Sequence, residues 1–233
     1  MANKFYSWQK FLSRFRLWKS EKIRNRNRKI KNDNNTVLYE GNFTARILKN
    51  DDIKKAYKFR YKIFCEELNW LPLNKDKEEF DDYDRFSIHF GIFFKNDELA
   101  GYGRFILPKI NFMLEKEFKD LLDNHTIRKK RDTVEVSRVA IDKTLRGKSF
   151  NLIILLLYKF MYRWSLKNRI RYWYMVIEPN YLKSLQSLFP CKQIGRVKFY
   201  QPNSTTTAAL LDLREAEDFL FRKNRKLYEW FTK

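Results

Sequence analysis

Four carboxylates lie within six residues of this strongly basic chain, at positions 79–84, which read EFDDYD. Ser87 and His89 follow shortly after them, on the next predicted strand. Carboxylates at this density can bind an ammonium group, hold a hard metal ion, pair with buried arginines or act as a general base. A solvated surface loop is the alternative that involves no chemistry.

Three arginines stand in otherwise apolar surroundings. Arg60 shares a predicted helix face with apolar residues three and four positions away, and Arg104 lies in an apolar strand among glycines. Arg138 lies with Glu135 in the strand VEVSRVAI at 134–141. Because an unpaired buried charge is costly, we expect these arginines to pair with carboxylates, unless a side chain such as Arg60 extends to the surface. Simple alternation puts Glu135 and Arg138 on opposite faces of the sheet unless a β-bulge intervenes.

A basic turn follows the strand that holds Glu135. It consists of Arg146, Gly147, Lys148 and Ser149, and it precedes a long apolar segment. A turn of this kind at a helix N-terminus can cradle a phosphate group, although many such turns bind nothing. The turn lacks the P-loop spacing, so nucleotide hydrolysis is not expected.

The apolar pattern predicts a central mixed sheet flanked by helices, that is, an α/β (α+β) fold. The predicted strands are 43–48, 87–94, 99–107, 133–142, 171–178, 193–200 and 205–213. The predicted helices are 51–68, 115–122, 150–167, 179–188 and 214–231. The loop 69–86 carries the acidic segment.

The N-terminal part differs in character from the rest. Residues 1–31 predict a basic amphipathic helix, 32–41 a linker and 42–233 one globular domain. Aromatic residues on one helix face and basic residues on the other favour peripheral contact with an anionic membrane. Packing of this helix on its own domain is the alternative.

Composition limits the class of protein. Because 44% of the residues are hydrophobic, the chain can bury a core. Its formal net charge of +21 attracts polyanions such as nucleic acid, anionic lipid or an acidic protein. Two cysteines and two histidines provide neither a disulfide framework nor a zinc site. No apolar run is long enough to span a bilayer, and we expect a cytoplasmic protein, peripheral at the inner face of the membrane.

The order of these motifs resembles that of the acyl-homoserine-lactone synthases and the related N-acyl amino acid synthases, which are GNAT-like acyltransferases. The resemblance covers roughly residues 43–213. The residues that carry it are Arg60, Phe64, Trp70, Glu79, Asp81, Asp84, Arg104, Glu135, Ser137 and Arg138. The segments FCEEL at 64–68 and YMVIEP at 174–179 favour the N-acyl amino acid branch, which includes the acyltransferases associated with exosortase systems.

The resemblance implies a GNAT-like fold in which the donor's pantetheine arm enters between strands 133–141 and 171–178. Residues 146–149 would then lie near the phosphate of that arm. The coenzyme A loop pattern is degraded, with Thr144 in its first place and Ser149 in its last. This departure favours an acyl carrier protein thioester as donor. We expect no permanently bound cofactor and no metal. Acyl carrier proteins are acidic and complement the basic chain.

The resemblance and the chemistry of amide formation together assign roles to the candidate residues. Glu135 or Glu79 would be the base, and Asp81 and Asp84 would bind the amine or organise the site. Arg104 and Arg138, with Ser137 and His89, would bind substrate; His89 is alternatively a second proton acceptor or a structural residue. Arg60 would form a structural ion pair.

The function expected from the sequence is transfer of a fatty acyl chain from acyl carrier protein to the α-amine of an amino acid. The alternative within the family is an acyl-homoserine-lactone synthase that uses S-adenosylmethionine. Outside it, a non-enzymatic domain would bind nucleic acid or only the carrier protein. Nucleic acid is not the expected partner.

Overall fold

The computed structural model describes residues 37–146, 152–200 and 204–233. The predicted helix over 1–31 lies outside these ranges, and so do Gly147, Lys148 and Ser149 of the basic turn. Residues 35–233 form one compact unit. The described end of the predicted linker is not a linker, because Val37–Glu40 pairs with Phe43–Ile47 as a strand.

A long mixed sheet forms the centre of the domain. Its strands are β1 (Val37–Glu40), β2 (Phe43–Ile47), β3 (Ser87–Phe93), β4 (Leu99–Ile106), β5 (Thr133–Ile141), β6 (Tyr172–Ile177), β7 (Lys192–Gln193), β8 (Lys198–Tyr200) and β9 (Ser204–Asp212). The order is β1-β2-β3-β4-β5-β6-β9-β7, and β8 also pairs with β9. The pair β5–β6 is parallel and the other pairs are antiparallel. The predicted mixed sheet with helices is therefore confirmed.

Helices cover both faces of the sheet. They are α1 (Asp51–Tyr61), which continues as a π-helical turn (Lys62–Glu67), α2 (Leu152–Lys167), α3 (Pro179–Gln186), α4 (Leu213–Lys223) and α5 (Arg225–Thr232). On one face, α1 packs Ala56 and Phe59 near Tyr102 of β4. On the other face, α2 places Trp164 against Phe105, with ring centroids 5.6 Å apart. No helix within the described ranges combines the length and the apolar character needed to cross a bilayer.

Three predicted elements differ in detail. The predicted helix 115–122 is two 3₁₀ turns, Met113–Glu115 and Lys119–Leu121. The predicted strand 193–200 is divided into β7 and β8, and between them the backbone N–H of Arg196 donates to the carbonyl oxygen of Leu121 at 3.0 Å. The predicted C-terminal helix 214–231 is divided at Asn224, which leaves the helical conformation and accepts a hydrogen bond from Leu227 N–H as an N-cap.

Candidate active site

The acidic segment and the three arginines come together on the α1 face of the sheet. We call this group the ion-pair cluster. Its members are Arg60, Glu79, Asp81, Asp84, Arg104 and Arg138. Three guanidinium groups and three carboxylates neutralise one another, so the cluster can be buried in a domain of high positive charge.

Asp84 is the centre of the cluster. Its Oδ1 accepts hydrogen bonds from Arg60 Nη1 and Arg104 Nη1, both at 2.6 Å. Its Oδ2 accepts from the backbone N–H of Asp81 at 2.8 Å, which closes the turn between these two residues. Burial alone would raise the pKa of Asp84, but the charges of Arg60 and Arg104 outweigh it and hold that pKa below its ordinary value. The Asp-x-x-Asp spacing is thus explained by a local turn that serves two arginines at once.

Glu79 and Asp81 fill the remaining positions around the arginines. Glu79 accepts from Arg60 Nε at 2.5 Å and from Arg138 Nη2 at 3.0 Å. Asp81 accepts from Arg104 Nη1 at 2.5 Å and from Arg138 Nη2 at 3.1 Å. In both carboxylates the arginine charges overcome the effect of burial and lower the pKa. The expected pairing of Arg60 is therefore observed, with Glu79 and Asp84 as its close partners and Asp81 at 3.8 Å.

A β-bulge brings Arg138 to this face. The register between β4 and β5 shifts between Tyr102 and Arg104, and Arg138 has a positive φ of 54°. The strand therefore turns Glu135, Ser137 and Arg138 to the same face, which alternation without a bulge would not do. Ser137 accepts a hydrogen bond from Arg104 Nε at 2.9 Å and so fixes the guanidinium next to the bulge.

Glu135 is buried beside the cluster but outside its network of ion pairs. Its carboxylate accepts hydrogen bonds from the backbone N–H groups of Met113 at 2.7 Å and Leu114 at 3.1 Å. Burial raises the pKa of Glu135 to about 8, against the opposite effect of these two hydrogen bonds and of Arg104. A carboxyl group with a pKa near neutrality is suited to accept a proton.

His89 is held by protein groups at both ring nitrogens. Nε2 lies 3.1 Å from the carbonyl oxygen of Asp84, which can only accept, so Nε2 carries the proton. Nδ1 then accepts from the hydroxyl of Tyr102 at 2.7 Å. Burial lowers the pKa of His89, against the opposite effect of its hydrogen bond to the carbonyl oxygen of Asp84, and favours this neutral form. His89 thus lies beside Asp84 with both of its ring nitrogens occupied by protein groups.

Strands β5 and β6 separate next to the cluster. Their pairing runs from Thr133 with Tyr172 to Val136 with Met175 and ends there, while β5 continues to Ile141. The opening lies one residue from both Glu135 and Ser137. We call it the fork. It is the separation of strands 133–141 and 171–178 that the resemblance implied.

Arg146 lies beyond the fork, at the end of β5. Its Nη2 forms an ion pair with Glu67 at 2.8 Å, and its Nε donates to the carbonyl oxygen of Ile141 at 3.0 Å. The π-helical turn that carries Glu67 has an extra residue, shown by the hydrogen bond from Leu68 N–H to Ile63 O at 2.9 Å. Arg146 therefore ties this turn to β5.

Two parts of the site were missed by the sequence reasoning. Tyr102 touches Arg60 and His89 through its hydroxyl, and its position two residues before Arg104 on the same strand could have indicated it. The backbone of Met113 and Leu114, which binds Glu135, gives no signal in side-chain patterns. Among the described residues, no group of three or more His, Cys, Asp or Glu is arranged to hold a metal ion.

Known proteins resemble this chain in sequence and in fold. A family model described as "Autoinducer synthase" matches residues 44–218. An acyl-homoserine-lactone synthase of Vibrio anguillarum is 27% identical over 165 residues, which is 68% of this chain and 84% of that protein.

Two solved structures illustrate the likeness in fold. BjaI, a CoA-dependent acyl-homoserine lactone synthase solved with SAM and isopentyl-CoA, aligns with a TM-score of 0.64 at 20% identity, over 74% of this chain and 82% of that chain. FeeM, an N-acyl amino acid synthase from uncultured soil microbes, aligns with a TM-score of 0.58 at 20% identity, over 76% and 93%.

Proposed function

The chain belongs to the autoinducer synthase family, and on that premise we propose that it acylates the α-amine of S-adenosylmethionine with an acyl group from a thioester. The observation that carries the proposal is the fork beside Glu135, a buried carboxyl group whose pKa is about 8. A thioester in the fork and a proton acceptor next to it are the two parts that amide formation needs.

The exposure of the cluster divides its members into two roles. The side chains of Arg60 and Arg104 are 0% exposed, while those of Arg138 and Asp81 are 17% and 22% exposed. We assign Arg138 to the carboxylate of the acceptor and Asp81 to its ammonium group. Arg60, Arg104, Glu79 and Asp84 then hold these two in position.

An aromatic wall beside Arg138 favours a sulfonium acceptor. The guanidinium of Arg138 lies 5.6 Å from the ring of Phe64, whose ring stacks on that of Trp70 with centroids 6.1 Å apart. Trp70 is only partly buried. Aromatic faces attract cations, and the sulfonium of S-adenosylmethionine is one.

The proton chemistry assigns the base to Glu135 rather than Glu79. The pKa of Glu79 is lowered despite burial, because Arg138 and Arg60 bind it, so it is a weak proton acceptor. Glu135 accepts the amine proton through a water molecule while the nitrogen attacks the thioester carbonyl. An N–H group of β5 beyond Val136 stabilises the oxyanion. The carbon–sulfur bond then breaks, and the thiolate leaves with a proton.

The S-adenosylmethionine product can then close to a lactone. Its carboxylate oxygen displaces sulfur from the γ-carbon, which releases methylthioadenosine.

A free amino acid is the second candidate acceptor, favoured by the segments at 64–68 and 174–179. It would give an N-acyl amino acid with no second product.

The donor proposed is acyl carrier protein. The net charge of +21 favours an acidic protein over a small thioester. Coenzyme A is the competing donor, because the pantetheine arm is common to both.

The test uses the full chain with acyl carrier protein or coenzyme A thioesters, and with S-adenosylmethionine or an amino acid mixture. Mass spectrometry should detect an acyl amide, accompanied by methylthioadenosine if the acceptor is S-adenosylmethionine. Glu135→Gln should remove it, whereas the exposed Glu98→Gln should not. No amide from the unaltered chain, together with tight salt-dependent binding of nucleic acid or of carrier protein alone, would refute the proposal.

A further inference from the structure

We propose that Glu115 is a positioning residue for Glu135. It holds the 3₁₀ turn Met113–Glu115 in the orientation in which two backbone N–H groups of that turn bind the Glu135 carboxylate. The inference rests on the proposed function, because it concerns the base assigned there. Glu115 acts through the turn and not on the substrate.

The N-terminal end of this turn faces Glu135. The first N–H groups of a helical turn have no partner within the turn, and here they belong to Met113 and Leu114. Met113 N–H donates to Glu135 Oε2 at 2.7 Å, and Leu114 N–H donates to Oε1 at 3.1 Å. Each carboxylate oxygen thus accepts one hydrogen bond from the turn. Both bonds depend on the direction in which the turn begins.

Glu115 fixes that direction from the other end of the turn. Its Oε2 accepts a hydrogen bond from the backbone N–H of Phe112, the residue before the turn, at 2.7 Å. A glutamate three residues after a helix N-cap commonly reaches back in this way. The backbone N–H of Glu115 donates to the carbonyl oxygen of Phe112 at 3.0 Å. The two bonds enclose the peptide groups between Phe112 and Glu115, which include both donors to Glu135.

Lys129 fixes the side chain of Glu115. Its Nζ forms an ion pair with the same Oε2, and it lies 3.8 Å from the centroid of the Phe112 ring. The side chains of Glu115 and Lys129 are 24% and 28% exposed, so water screens this pair only in part. Phe112 and Leu114 are fully buried and pack in one apolar cluster with residues of the sheet. The turn is therefore anchored by its apolar side chains and oriented by Glu115.

The hydrogen bonds from the turn oppose the effect of burial on Glu135. Burial raises the pKa of Glu135 to about 8, and these bonds, with the charges of Arg104 and Lys129, limit that rise. Loss of the bonds would raise the pKa further, because they stabilise the ionised carboxylate. Loss of the nearby Glu115 charge alone would lower the pKa of Glu135. The direction of the change therefore separates a positioning role from simple electrostatics.

Two tyrosines also face Glu135. Tyr174 is its partner in the pairing of β5 with β6, and the charge of Glu135 contributes to the raised pKa of Tyr83. Burial raises the pKa of both tyrosines, so they stay neutral in the pH range in which Glu135 titrates. The charged groups that act on Glu135 from neighbouring elements are Arg104 of β4 and Lys129 of the loop before β5.

The test titrates Glu135 directly, by NMR of the full chain labelled at its glutamate carboxyl carbons. The spectrum of Glu135→Gln assigns the signal. Glu115→Ala should move the midpoint of the titration upward by about 1–2 pH units, which is the effect of losing one hydrogen bond to a charged group. The rise of kcat/KM with pH should move by the same amount, while the plateau at high pH is retained. A residue that only stabilised the fold would lower the plateau and leave the midpoint in place.

Glu115→Gln is the matched variant. Its amide oxygen can still accept the hydrogen bond from Phe112 N–H, so it should keep the midpoint of the unaltered protein. An equal shift in Glu115→Gln and Glu115→Ala would overturn the role of that hydrogen bond. Glu98→Ala removes an exposed glutamate between β3 and β4 and should leave both the midpoint and the activity unchanged.

The inference is wrong if Glu115→Ala leaves the midpoint of Glu135 in place or lowers it. If this variant does not fold, Glu115→Met takes its place, because methionine has a similar length and accepts hydrogen bonds only weakly. An upward shift with Glu115→Met supports the inference, and no shift refutes it. The titration needs no substrate. Absence of amide from the unaltered protein would therefore overturn the proposed function alone, while the NMR midpoint still decides whether Glu115 positions Glu135.

Discussion

Asp84→Asn tests whether the ion-pair cluster is a unit held by charge. Asp84 is the partner of both Arg60 and Arg104 at 2.6 Å, and its side chain is 6% exposed. The substitution leaves the three arginines of the cluster, two of them fully buried, with two carboxylates, so one positive charge is no longer compensated. Removing one partner from a buried ion pair costs about 3–5 kcal/mol.

That cost is a large share of the stability of a single domain, which is about 5–15 kcal/mol. At this chain length it corresponds to a fall in Tm on the order of 10 °C. Thermal and urea unfolding followed by circular dichroism would measure both quantities at neutral pH. These unfolding measurements must accompany any activity assay, because Asp84→Asn can lower activity simply by unfolding the protein.

Asp82→Asn is the matched control, two residues away. Its side chain is 96% exposed and pairs with the exposed Arg85 at 3.8 Å, so the free energy of unfolding should change by less than ~0.5 kcal/mol. Equal stability of the two variants would refute the account of the cluster as a charge-compensated unit.

The dependence on pH gives a second check on Asp84. The folded protein holds the pKa of Asp84 below its ordinary value of 3.8, so its ionisation stabilises the fold. That stabilisation is complete above the ordinary value and is lost as the pH falls through the lower folded-state pKa. The difference between the unaltered protein and Asp84→Asn should therefore be constant at neutral pH and shrink only in strong acid.

Two further results follow from the geometry. If Glu135 is the base, kcat/KM should rise with pH up to about 8. Glu135→Gln should lower kcat/KM about 10²–10⁴-fold and remove the rise with pH. If the variant keeps the rise, Glu135 is not the group that causes it. Gly195→Ala should lower the free energy of unfolding in urea by about 1–3 kcal/mol, because the new methyl group would collide with the backbone carbonyl of Leu121. Gly101→Ala should lower it less, because its methyl group would first meet the side chain of Ile153 at 3.1 Å. The opposite order would contradict the packing described around Gly195.

Much of the framework was predictable from local patterns. The strands at 87–94 and 99–107 and the helix beginning at Asp51 follow from apolar period and turn residues, and the structure confirms them. Arg60 could be placed inward because its helical neighbours at three and four positions are apolar. A buried guanidinium requires a carboxylate, and the acidic segment was the nearest source.

The partners of Glu135 could not be predicted, because they are backbone groups. Its two hydrogen-bond donors belong to Met113 and Leu114, in a turn whose position depends on packing over the sheet. The same is true of one partner of His89, because its Nε2 donates to the backbone carbonyl oxygen of Asp84. Side-chain periodicity carries no information about the backbone groups that Glu135 and His89 contact.

The bulge at Arg138 shifts the alternation of side chains along β5 by one residue. Before the bulge, Glu135 and Ser137 point to the face of the sheet that carries the ion-pair cluster. After it, Ala140 points to the same face, opposite Tyr102. Loss or gain of one residue between 135 and 140 would move the side chains of one half of the strand to the opposite face of the sheet. Charged groups would then lie in the apolar layer under α2. A chimera with a relative should therefore exchange this strand whole, with both crossover points outside 135–140.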